Sequence, residues 1–238
     1  MIAPSSIIRE PRLQHDSWQG TLWLAPDFAI LHGAAGATDR HAHYAHQLML
    51  STGAPFTAEL DGIVHTARHL LVESLRPHAI VAAPAPLLTI YAEPQCLGGA
   101  ALLAAAQAGA PTLEHIAAAL QAQPREPLPD PRLRRALDQV DALLSGKVSA
   151  AAVAGAAHLS LSQLERLFNA QLGLPVRRLV LWRRLRLAIR FILLGSTLTD
   201  AAHGAGFADA AHFSRTMRSL FGVRADRSLR QLDVKLLD

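Results

Sequence analysis

Two stretches of this chain repeat one another at a spacing of 49 residues, and that repeat limits its possible folds more than any other feature. Leu164-Glu165-Arg166-Leu167-Phe168, closed by Gly173, matches Phe213-Ser214-Arg215-Thr216-Met217, closed by Gly222. Ala154 and Ala202 stand 48 apart, so the second unit has one more residue in its turn. In the second unit Thr197 can cap a helix, with Asp200 bonding back as in a capping box. Ala201 and Ala202 are small enough for close crossing, and Gly206 can adopt a left-handed turn. Asp209 then caps a helix on which His212, Ser214, Arg215 and Arg218 alternate with Phe213, Met217 and Leu220. Two short capped helices around a tight turn make a helix-turn-helix. In the first unit Ser149 caps a helix of small residues over 150–157, and His158-Leu159 forms the turn. Ser160-Leu161-Ser162-Gln163 is a capping box opening a helix to Leu172.

Between the units, Pro175 opens a run ending at Leu194 whose Leu179, Trp182, Leu185, Ala188, Ile189 and Ile192 recur at helical spacing. It also carries Arg177, Arg178, Arg183, Arg184, Arg186 and Arg190. A basic amphipathic helix can lie on a membrane, but here the flanking repeats need it as a spacer.

The rest of the chain differs in charge. Residues 1–130 hold 6 Lys+Arg against 11 Asp+Glu, net −5, and nine histidines. Residues 131–238 hold 17 against 8, net +9, and three histidines. An acidic, His-rich half joined to a basic half suggests a sensor joined to a nucleic-acid binder. Pro124–Pro131, with four prolines in eight residues, is the boundary and a short stiff connector. Beyond it Asp130-Pro131 starts a helix over 132–144, striped by Leu133, Leu137, Val140 and Leu144. A chain of 238 residues can bury two modest cores. The lone Cys96 excludes an internal disulfide and suits a reducing cytoplasm. No signal peptide or membrane-spanning run is found.

Thr21–Leu24, Phe28–Leu31, Gln47–Leu50, Phe56–Leu60 and Leu87–Tyr91 read as short strands, with Asp61-Gly62 as a hairpin turn. This predicts a small antiparallel barrel or sandwich. His41 and His43, two apart, would face one side of a strand, near His46-Gln47 and the more distant His78. His15, His32, His65, His69 and His115 have no partner pattern. Leu102–Gln107 and Pro111–Gln123 read as helices, Pro111 in the first turn. Leu113, Ile116, Ala117 and Leu120 form a stripe that packs on the barrel or pairs two copies through 111–123.

The segment from about Asp130 to Arg230 resembles the DNA-binding domain of AraC/XylS-type transcription regulators. The resemblance rests on Ser160–Phe168, Arg184–Ala188, Ala205-Gly206-Phe207-Ala208-Asp209, His212–Arg215 and Phe221-Gly222. His158 stands where a glycine is usual, and Ala225 where a proline is common. The N-terminal half resembles a cupin, with Gln47 in place of the usual Glu and no glycine-spaced pattern around His78. The resemblance implies a two-domain α+β fold. A cupin-like effector-sensing β domain over 1–95 and a helical segment over 96–131 precede an all-α domain over 132–238. That domain's helix-turn-helix units, at about 149–172 and 197–221, are joined by the long helix. The second helix of each unit would enter successive major grooves about 34 Å apart. Ser162, Glu165, Arg166, Ala210, His212 and Arg215 would read base edges. Ser160, Gln163, Asn169, Ser214 and Arg218 would contact phosphates. The competing reading has Arg166 and Arg215 bracing the helix pair. The expected partners are double-stranded DNA, a small-molecule effector and RNA polymerase, with no membrane and no cofactor.

His41, His43, Gln47 and His78 could hold an organic effector, coordinate a metal if three ligands converge, or hold nothing. The effector reading is preferred, so no metal is assigned. No nucleophile-plus-base arrangement is evident, so no enzyme is expected. The competing functions are a cupin-type metalloenzyme tethered to DNA and a ligand-free architectural DNA binder.

Overall fold

The computed structural model describes residues 19–125, 128–225, 229 and 232–237. His15 and the rest of 1–18, and two residues of the proline-rich connector, lie outside them. The N-terminal half has eight strands: β1 (Gln19–Leu24), β2 (Phe28–Ala34), β3 (His46–Ser51), β4 (Phe56–Leu60), β5 (Ile63–Ala67), β6 (His69–Val72), β7 (His78–Ala82) and β8 (Leu87–Ala92). Eight helices follow: α1 (Gly99–Gln107), α2 (Leu113–Ala122), α3 (Pro131–Ala142), α4 (Ala150–Ala156), α5 (Leu161–Leu172), α6 (Val176–Leu193), α7 (Leu198–Gly204) and α8 (Ala210–Phe221). A last strand, β9 (Leu232–Leu236), ends the described chain.

The expected barrel is not closed. The strands form a six-stranded sheet, ordered β6-β3-β8-β2-β1-β9, and a three-stranded sheet, β5-β4-β7. All pairings are antiparallel except β1 with β9. The Asp61-Gly62 hairpin joins β4 to β5 with both residues at positive φ, as a two-residue turn of this kind requires. Strands β5, β6, β7 and β9 were not anticipated. Alternation along the large sheet sets its two faces. Phe28, Ile30, Leu48, Leu88 and Ile90 face α1 and α2 with Leu102, Ile116 and Leu120. The α2 stripe is therefore covered within this chain. Met49 and Leu87 point the other way, against Phe56, Leu60 and Ile80 of the small sheet. Farther along that second face, Leu22 and Leu31 pack in one core with α3 to α8.

The repeat is reproduced in the helices. Helices α5 and α8 each have 12 residues and end on a left-handed glycine, Gly173 (φ 72°) and Gly222 (φ 67°). Helices α4 and α7 each have 7 residues. The turns also match: Leu159 N–H donates to Ala154 O and Phe207 N–H to Ala202 O, both at 2.9 Å. His158 takes the left-handed position (φ 55°) that Gly206 takes in the second unit (φ 79°), since histidine tolerates this region better than most residues. The extra residue of the second turn is Ala208, between Phe207 and the cap Asp209. Ser160 and Gln163 form the full capping box. Ser160→Ala should destabilise the chain by about 1 kcal/mol, read as an earlier urea midpoint with unchanged slope. The Thr197 arrangement is only half a box. Its hydroxyl accepts from Asp200 N–H and donates to the Asp200 carboxylate, which does not reach back to the Thr197 backbone. Pro111 lies before the cap Thr112 rather than in the first turn of α2.

Candidate functional site

The second helices of the two units, α5 and α8, differ in surroundings. On α5, Ser162, Arg166 and Asn169 are exposed and Glu165 is half-buried, while Ser160 and Gln163 serve the cap. Asn169 Nδ2 donates to Glu165 O at 2.9 Å. On α8, Arg215 and Arg218 are exposed, and Ala210, His212 and Ser214 are half-buried. The His212 ring packs edge-on against Phe207, centroids 5.2 Å apart. The C-terminal turn of α8 is docked on the N-terminal half. Arg218 Nε donates to Asp39 Oδ2 at 2.8 Å, and Asp39 N–H donates to Gly222 O at 3.0 Å. Arg215, Thr216 and Ser219 line a crevice of about 360 Å³ with His43, Tyr44 and Leu75.

The long helix α6 completes the docking. Glu93, just past β8 and 6% exposed, accepts from Trp182 Nε1 at 3.0 Å and from Arg186 Nη1. Arg186 also donates to the carbonyls of Ala25 and Pro26. Arg183 pairs with Asp141, and Arg184 donates to the carbonyls of Leu144 and Gly146. Three of the six arginines of the spacer are thus engaged inside the protein, while Arg177, Arg178 and Arg190 are exposed. None of these contacts between the halves was read from sequence. Glu93 and Asp39 belong to no motif, Trp182 was read only as part of the spacer's apolar stripe, and their partners lie far along the chain.

His41, His43, Gln47 and His78 come together, although not on the strand expected. His41 and His43 lie on an irregular segment before β3, tied to β7 by an isolated bridge between His41 and His78. All four side chains are buried. The Nδ1 atoms of His41, His43 and His78 lie 2.7, 3.0 and 2.9 Å from the carbonyls of Asp39, Ala45 and Arg76. A carbonyl only accepts, so each ring carries its proton on Nδ1, and His43 and His78 turn Nε2 toward Gln47. The Nε2 atoms of His43 and His78 lie 2.9 and 2.8 Å from the Gln47 side-chain oxygen. Burial, reinforced by the neighbouring His78, pushes the His41 pKa down to about 3. Burial first, then His78 and His41, pushes His43 well below its usual value, and burial lowers His78. All three rings are therefore neutral near pH 7. His46 stands apart, accepting from Ser74 N–H at 3.1 Å. Over the cluster sit Phe221 of α8 and Trp182 of α6, ring centroids 5.3 and 6.1 Å from His43. The cluster is roofed by the C-terminal helices.

Residues 153–231 match a helix-turn-helix domain family of AraC type. The C-terminal half carries a helix-turn-helix domain. The transcriptional activator NphR of Rhodococcus sp is 36% identical over 92 residues, 38% of this chain. The transcriptional activator RhrA of Rhizobium meliloti is 35% identical over 85 residues, 34% of this chain. Each match spans only 27% of the relative's length. The whole arrangement has a counterpart in unsaturated fatty acid-bound wild-type ToxT from Vibrio cholerae, with TM-score 0.54 and 10% identity over 84% of this chain and 93% of that one. At that identity the likeness concerns the fold, which pairs a β-rich N-terminal half with a helical C-terminal half. Among the described residues no helix is long and apolar enough to cross a membrane.

Proposed function

We propose that the chain is a sequence-specific DNA-binding transcription regulator whose DNA-reading half is controlled by a ligand bound in its N-terminal half. The observation that carries this reading is the pair of matched helix-turn-helix units, α4–α5 and α7–α8, within a segment similar to two transcriptional activators. Helices α5 and α8 present Arg166 and Arg215, each able to bond bidentately to a guanine edge. Ser162, Glu165, Ala210 and His212 complete the base-reading set. Ser160, Gln163, Asn169, Ser214 and Arg218 serve the phosphates. The docking of α8 on Asp39 supports control, because the Asp39 carboxylate competes with a phosphate for Arg218. The fatty acid in ToxT supports a ligand-responsive fold of this kind. The reading does not require catalysis.

Selection of bound sequences from a random DNA pool tests the proposal. The expected result is one enriched site with two half-sites about 34 Å apart; a pool that stays random overturns it. Arg215→Ala should then weaken the selected site by about 1–3 kcal/mol and relax one base position. Arg166→Ala should do the same in the other half-site. Equal weakening on scrambled DNA would remove either residue from the base-reading set.

A further inference from the structure

Six leucines lie between residues 159 and 174, and five of them, Leu159, Leu164, Leu167, Leu172 and Leu174, pack in the core that holds the helices together. Leu161 does not. It is the first residue of α5 and is 54% exposed. A lone exposed leucine signifies little by itself; here its position gives it meaning. The capping box fixes the backbone on both sides of it, with Ser160 Oγ accepting from Gln163 N–H and Gln163 Oε1 accepting from Ser160 N–H at 2.9 Å. Side chains of a helix lean toward its N-terminus, so Leu161 reaches past the start of α5. That is the end whose residues touch base edges when such a helix lies in the major groove. Glu165, in the base-reading set, stands one turn behind Leu161 on the same side of the helix.

The repeat assigns the same place in the second unit to Ala210, the first residue of α8, 49 positions on. Ala210 is half-buried and presents a single methyl group, whereas Leu161 presents a whole isobutyl group to solvent. Base edges in the major groove offer hydrogen-bond donors and acceptors, apart from the C5 methyl of thymine. Against any polar edge, a leucine would take that group out of water and return no hydrogen bond. We infer that Leu161 is a further specificity-determining residue, packing on the C5 methyl of one thymine in the half-site read by α5. This deepens the reading above and rests on it. The two units then differ in what they select as well as in how they dock. The first combines a bulky apolar contact with Arg166, and the second a single methyl group with Arg215.

Fluorescence anisotropy with the full chain, on the site enriched from the random pool, tests this inference. Each thymine of the site is replaced in turn by uracil, which deletes only the C5 methyl. For the wild-type chain one uracil, in the half-site whose preference Arg166→Ala relaxes, should weaken binding about fourfold, the worth of one buried methyl group. Leu161→Ala should weaken binding to the unmodified site by about the same factor or more. It should also lose its response to that uracil, because the two deletions remove opposite sides of one contact. Leu194→Ala, at a 61% exposed leucine closing α6, is the control and should keep the wild-type response. The scan of the wild-type chain reports without any variant. A wild-type chain that responds to no uracil in this half-site, or a Leu161→Ala chain that still responds to the same one, overturns the inference while the selected site stands. A pool that stays random overturns the regulator reading instead, and this inference with it.

Discussion

Glu93→Ala should lower the stability of the chain by about 3 kcal/mol, read as an earlier urea midpoint. Glu93 is the one carboxylate accepting from both Trp182 Nε1 and Arg186. Its removal strands an indole N–H at a 3% exposed tryptophan and leaves a guanidinium, only 18% exposed, without its counter-ion. Arg186 keeps the Ala25 and Pro26 carbonyls, which places the cost at the low end for a broken buried pair. Glu93→Gln should cost less, because the amide oxygen still accepts from Trp182 while the charge is lost. The pair spans the two halves, so the alanine variant should also separate the unfolding of the halves into two transitions. A single transition with unchanged midpoint would mean that these bonds do not hold the halves together.

Gly222→Ala should release the second recognition helix from the N-terminal half, whereas Gly173→Ala, its counterpart in the first unit, should not. Both glycines close their helices at left-handed φ, so both substitutions carry a similar backbone cost of about 1–2 kcal/mol. Their surroundings differ. A β-carbon on Gly173 would meet the end of the Leu75 side chain at 3.3 Å, which can move. On Gly222 it would stand 2.2 Å from the Asp39 carbonyl oxygen, a backbone atom also bonded to His41. That carbonyl cannot turn aside without loosening the contacts that dock α8. Gly222→Ala should therefore expand the molecule in small-angle scattering and tighten DNA binding about tenfold, equivalent to about 1.4 kcal/mol. Gly173→Ala should do neither. Identical behaviour of the two variants would show that the docking carries no regulatory energy.

The parts of this architecture that were legible in the sequence are those whose causes are local. The caps Ser149, Ser160, Thr197 and Asp209 act within three residues. Gly173, Gly206 and Gly222 answer a local need for positive φ, and the stripe of the spacer follows from helical period alone. Strand β5 was missed because it lies at the edge of the small sheet and is partly exposed: Ile63 and Val64 are 62% and 63% exposed. β9 could not be foreseen, since its register is supplied by β1, more than two hundred residues earlier. The histidine group was half legible. The His41–His43 spacing indicated a shared direction, but the irregular backbone that carries it and the roof of Phe221 and Trp182 were not indicated.

The sequence by itself determined that this chain carries two helix-turn-helix units at a fixed separation, with the second turn one residue longer. It also marked which helix faces are polar and basic, because turns, caps and amphipathic periods are properties of short segments. Only the tertiary structure decided that the two units are not equivalent. The 49-residue repeat makes α5 and α8 equal, yet Asp39, His41, Glu93 and Leu31 lie against the second unit and its spacer and leave the reading face of the first exposed. Those contacts join residues 89 to 183 positions apart, and separations of that order leave no local pattern.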